Sequence, residues 1–135
     1  MGRFKTLSKN NKYYLPSAYY RATISWCLQY KEWCMELQTE PDTSKAIDYS
    51  KDKIQASRDY DATFELAARR VELTTKKSLL EDTIKEVDEG IYKYLLLGLG
   101  YGLTVYQLKE RGMPCSPKYY YERKQHVIYN LSKKI

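Results

Sequence analysis

The sequence predicts an all-α fold, a helical bundle with a C-terminal helix-turn-helix, and three observations predict it. Apolar residues make up 43% of the 135 residues, enough for a packed core. Two long stretches repeat their apolar residues at three- and four-residue steps, the spacing of one helix face. The last quarter carries sharp helix stop and start signals around Gly112 and Ser116-Pro117. Length alone fits one domain, or a compact body with a small appended module.

Tyr13-Tyr14-Leu15-Pro16 reads as an extended lead-in, because the residue before a proline avoids the α region. Pro16 then suits the first position of a helix. Tyr19, Ala22, Trp26, Tyr30, Trp33 and Leu37 follow at helical spacing, widened by Ile24, Cys27 and Cys34, and predict one helix of about six turns over 16–37. Its Trp26–Trp33 stripe belongs to the core, or else to a partner-binding face. Residues 38–60 are polar, carry Pro41 and have weak periodicity, which predicts a connector with at most a turn of helix. Asp61 is a candidate cap for a second long helix over 61–87, through Phe64, Ala68, Val71, Leu80, Ile84 and Val87. Its other face mixes Arg69, Arg70, Glu72, Lys76, Lys77, Glu81 and Asp82, as a solvated bundle helix does. These two helices would pack antiparallel, so that residues 1–87 form a helical body and 88–135 a separate module.

That module opens with Asp88-Glu89-Gly90, acids placed where a helix dipole favours them, before an apolar helix from Ile91 to about Leu99. Gly98, Gly100 and Gly102 are expected to break it. Thr104 can cap a short helix, VYQLKERG, with Gly112 as its left-handed terminator. Ser116 and Pro117 then fit the N-cap and first turn of a final helix running to the C-terminus. A short helix, a tight glycine-containing turn and a longer basic helix is the helix-turn-helix layout, although helical hairpins of this shape also occur in bundles that never meet DNA.

Charge favours the DNA reading. Residues 1–35 carry a net +5, residues 36–110 a net −4 and residues 111–135 a net +5. Two basic ends around an acidic middle is the pattern of a polyanion-binding surface joined to a body with another task. At about 100° per residue Tyr120, Val127 and Leu131 share one side of the last helix and face the protein. The opposite side carries Lys118, Tyr119, Glu122, His126 and Tyr129, with Arg123 and Gln125 on its flanks; Lys118, Tyr119, Glu122, Gln125 and His126 are the candidate base-reading residues, since Lys and Gln can read purine edges and Glu can accept from cytosine N4. Arg111, Ser116, Arg123, Lys124, Lys133 and Lys134 are the candidate phosphate contacts, Ser116 through the backbone N–H groups that follow it. The 15 tyrosines, against two Phe and two Trp, suit half-buried positions and surfaces that touch sugar and base, or simply fill a small core.

Other chemistries find little footing. Cys27 and Cys34, seven apart on one expected helix, stand about 10 Å from each other, beyond disulfide reach. Cys115 is alone, no CxxC occurs and there is a single histidine, so neither a zinc site nor a cofactor is expected, and free thiols fit a reducing cytoplasm. Gly98-x-Gly100-x-Gly102 lacks the strand and the GK[ST] ending of a phosphate loop. The adjacent acids Glu81-Asp82 and Asp88-Glu89 point different ways on a helix, and nothing places Cys115 beside His126, so no catalytic site is expected. No apolar run reaches the 18 or so residues of a membrane span.

The stretch YQLKERGMPCSPKYYYERKQHVIYNLSKKI, with the YYLP lead-in and the WCLQYKEW helix, resembles phage and prophage late-gene transcriptional regulators of the ArpU-like or RinA-like type. Their ends are similar to the sigma-factor region 4 helix-turn-helix. The likeness covers roughly the last 45 residues, and the rest in general plan. It implies sequence-specific binding to double-stranded DNA at a promoter, contact with RNA polymerase and a place in the bacterial host cytoplasm, and leaves a homodimer open. By position it makes Val105 to Arg111 the supporting helix and Ser116 to Leu131 the recognition helix. Met113-Pro114 in the turn and three consecutive tyrosines depart from that pattern. The alternative is a non-enzymatic module that binds a host protein, such as RNA polymerase or a defence nuclease, through its tyrosine-rich helix.

Overall fold

In a computed structural model, which describes residues 12–39 and 53–135 (with side chains from residue 63 in the second stretch), every regular element is helical. Among the described residues α1 spans Ser17–Leu28, α2 Tyr30–Gln38, α3 Lys53–Asp88, α4 Tyr92–Tyr101, α5 Val105–Glu110 and α6 Pro117–Lys134, with a 3₁₀ turn at Glu89–Ile91 between α3 and α4. The all-α class is therefore correct. No described helix is long and apolar enough to cross a membrane.

The first expected helix is present but interrupted. Pro16 precedes the first helical residue, with its carbonyl accepting from Tyr20 N–H at 3.0 Å. At Gln29 the ladder tightens, Gln29 N–H reaching Trp26 O at 3.2 Å, before α2 resumes. From Trp26 onward the aromatic stripe is core: Tyr30 and Trp33 are buried, and Trp26 packs edge-on against Trp33 at 4.8 Å. Its expected start is corrected, since Tyr19 and Ala22 are exposed and Tyr20 and Ile24 are buried in their place.

The second long helix begins earlier than its pattern suggested. It is 36 residues long, roughly 54 Å, and already helical at Lys53, so Asp61 lies inside it and not at its start, and residues 53–60 of the expected connector are helix. Residues 40–52 of that connector lie outside the described residues. The expected apolar face also needs correction. Phe64 and Val71 are 68% and 66% exposed, while Leu73, Leu80 and Ile84 are buried. Phe64, Ala68 and Val71 form one stripe; Leu73, Leu80, Ile84 and Val87 form another on the far side of the helix. Only the second stripe meets the bundle, where α2 reaches the helix through Glu36–Arg69 at 3.0 Å and Leu37 O–Arg70 at 2.9 Å.

Asp88 caps the 3₁₀ turn, accepting from Gly90 N–H at 3.0 Å. The helix that follows is not broken by Gly98 or Gly100, which lie inside α4 and are buried there. They are small for a different reason. A Cβ on Gly98 would sit 1.8 Å from the Tyr120 hydroxyl of α6, and one on Gly100 would sit 2.8 Å from the Tyr30 ring. Gly102, at φ 72°, is the residue that ends the helix.

Candidate nucleic-acid interface

From Thr104 onward local signals dictate the geometry. Thr104 and Gln107 form a reciprocal capping box, with N–H···O distances of 2.9 and 3.3 Å, so α5 starts where the sequence places it. Gly112 takes φ 91° and turns the chain, and Met113 N–H returns to Leu108 O at 3.1 Å, which buries Met113. Lys109 closes the turn by donating to Cys115 O at 2.6 Å. Ser116 Oγ then accepts from Tyr119 N–H at 3.2 Å, and Pro117 occupies the first turn of α6. The short-helix, turn, long-helix unit thus exists with the caps expected of it.

Where α6 sits decides what it can touch. It packs against α1, α3 and α4 and buries Tyr120, Gln125, Val127, Ile128 and Leu131. Among the expected base-reading residues, Lys118 and Glu122 are exposed. The other three are engaged with the protein. Gln125 is buried and donates from Nε2 to Tyr13 O of the lead-in at 3.0 Å. His126 is half-buried, its ring stacked on Tyr13 with centroids 4.2 Å apart. Burial, then the nearby charges of Arg123 and Lys12, holds its pKa below the usual value. Tyr119 donates its hydroxyl to Asp88 and lies under the Arg123 guanidinium at 4.8 Å. The outward placement of Tyr119, Gln125 and His126 is corrected accordingly: the lead-in and the end of α3 cover this part of the helix.

The expected phosphate contacts divide in the same way. Arg111 in the turn is exposed, and so is Ser116, whose hydroxyl is already used as the cap. Lys133 is exposed over the Tyr129 ring at 4.4 Å. Arg123 is paired with Asp88 at 3.4 Å, and Lys134 reaches Glu86 at 2.9 Å and Thr83 at 3.1 Å. Lys124 is half-buried near Cys27; desolvation lowers its pKa, and the thiol only partly counters this. Burial pushes the Cys27 thiol itself up to about 12, so it stays protonated and unreactive.

Apart from Lys133 near the C-terminal end of α6, the expected residues that stay exposed without an ion-pair partner among the described residues gather at the start of α6 and in the turn that leads into it. Lys118, Tyr121 and Glu122 project there at i, i+3 and i+4, with Arg111 adjacent in sequence to the turning glycine. Neither Lys118 nor Arg111 has an acidic partner among the described residues. Tyr121, 55% exposed, belongs to this patch although it is not among the candidate base-reading residues, and its i+3 spacing from Lys118 is the signal that places it there. Among the described residues no group of three or more His, Cys, Asp or Glu side chains could hold a metal ion. No protein-family model, curated protein or solved structure matches the chain.

Proposed function

We propose that this chain is a non-catalytic, sequence-specific DNA-binding regulator of transcription that meets the duplex through the first turn of α6. One observation carries the reading: a capped helix begins with exposed Lys118, Tyr121 and Glu122, beside a turn bearing Arg111, and among the described residues neither cation is held in an ion pair. The N-terminal residues of a second helix are those that reach base edges in this layout. Lys118 and Glu122 supply donor and acceptor chemistry for bases, and Arg111 supplies a phosphate contact. The resemblance of the last residues to phage and prophage late-gene regulators, and the basic charge of the same segment, support it further.

The test is a mobility-shift titration on DNA from the chain's own genomic neighbourhood. Lys118→Ala with Glu122→Ala should lower preference for the specific site by tenfold or more, each good base contact being worth about 1–3 kcal/mol. Arg111→Ala should weaken all duplexes alike. A folded double variant with unchanged site preference rejects the reading. A protein-binding role has its own support in Tyr106 and Tyr19, which are 75% and 65% exposed. It predicts little wild-type DNA affinity and loss of a protein partner on Tyr106→Ala.

A further inference from the structure

The two basic ends of the sequence meet in the fold. The lead-in crosses the second half of α6, held by the Gln125–Tyr13 hydrogen bond and the Tyr13–His126 stack, and Tyr13 meets Tyr129 edge-on at 5.6 Å. Each of these two tyrosines carries a cation. Lys12 Nζ is 5.1 Å from the Tyr13 centroid and Lys133 Nζ is 4.4 Å from that of Tyr129. Both lysines are exposed, and neither has an acidic partner among the described residues. A ring face restrains an ammonium without cancelling its charge, so both charges stay available to a ligand.

We propose that Lys12 and Lys133, set on the Tyr13–Tyr129 pair, form a phosphate-binding face that holds the backbone of the duplex whose bases meet the first turn of α6. The proposal rests on the reading of α6 as a DNA-contacting helix and extends it to a segment far away in sequence. The ligand chemistry is phosphodiester and not base, because the Tyr13 ring is already occupied by His126 and Lys12. Two cations are counted and not four. Arg123 is committed to Asp88 and Tyr119, and His126 is neutral near pH 7.5 in the company of Arg123 and Lys12.

Counterion release gives the measurement. Losing two phosphate contacts should reduce the slope of log affinity against log salt by about 1.8. On a duplex of arbitrary sequence, the affinity ratio of wild type to Lys12→Ala/Lys133→Ala should then shrink about tenfold between roughly 50 and 200 mM salt. Lys31→Ala/Lys93→Ala, with the same net charge but exposed lysines on α2 and α4, should keep the wild-type slope. Circular dichroism checks that both variants fold. Wild-type binding with an unchanged slope in Lys12→Ala/Lys133→Ala, or an equal loss in the control pair, overturns this face and leaves the α6 reading standing. Absence of duplex binding by the wild type overturns both.

Discussion

Replacing Gly98 with alanine tests the contact that seats α6 in the bundle. The added Cβ would stand 1.8 Å from the Tyr120 hydroxyl oxygen and 3.1 Å from its Cζ. Tyr120 is 1% exposed, so its ring has no open space to swing into, and either α4 or α6 must shift. Overpacking of this kind costs about 1–3 kcal/mol, and the steric depth places it at the upper end. Alanine regains up to about 1 kcal/mol of helix propensity, leaving a net loss of about 2 kcal/mol. The Tyr120 hydroxyl is buried and has no hydrogen-bond partner among the described residues. Tyr120→Phe should therefore be neutral or stabilising by about 1 kcal/mol, since it removes an unsatisfied group. It also removes the atom that clashes. In a double-mutant cycle followed by urea and thermal unfolding, Gly98→Ala alone should lower Tm by about 5 °C or more. The same change in the Tyr120→Phe background should cost at least about 1 kcal/mol less. A cycle with no coupling, or Gly98→Ala melting at or above wild type, refutes the claim that glycine is needed there for close approach.

Two further outcomes follow from the packing. Because the folded His126 has a pKa below its ordinary value of about 6.5, the unfolded chain binds more protons as pH falls through that value, and stability present above it is lost below. The urea midpoint of the wild type should drop more between pH 7.5 and 5.5 than that of His126→Phe, which keeps a ring on Tyr13; equal drops would show that His126 is not the group responsible. On α3, Leu73→Ala should cost about 2–5 kcal/mol, whereas Phe64→Ala and Val71→Ala should each stay within about 0.5 kcal/mol, which chemical denaturation of the three variants can check.

The parts of the fold legible in the sequence were those fixed within a few residues. Thr104, Gly112, and Ser116 with Pro117 act through hydrogen bonds or φ angles that span one turn, so their identity and spacing suffice; the reciprocal bond from Gln107 is added by the structure. The start of α3 was not legible, because residues 53–60 have no apolar rhythm and their helix is continuous with a segment that does. Its face is misread because two apolar stripes on opposite sides of one helix resemble a single drifting stripe, and only contact with α2, α4 and α6 shows which is covered. Gly98 and Gly100 were misread in a related way. In the sequence they are helix breakers, and only the incoming rings of Tyr120 and Tyr30 reveal them as spacers.

For the candidate interface the limit is sharper, because it lies in the logic of a helical wheel. Lys118 and Gln125 are seven residues apart, and so within about 20° of each other on α6. Any argument from periodicity must treat them alike, yet one is exposed and the other buried under the backbone of Tyr13. Tyr119 and His126 are another such pair, and each is engaged by a different remote element, Asp88 of α3 and Tyr13 of the lead-in. What frees the first turn of α6 is the line along which the lead-in crosses the helix, a contact between residues 112 positions apart. The same crossing that buries Gln125 and stacks a ring on His126 brings Tyr13, with Lys12 over it, against Tyr129, with Lys133 over it. The surface around the second half of α6 is thus made by both ends of the chain, which is why the two basic segments of the sequence meet in the fold although the sequence places them in separate modules.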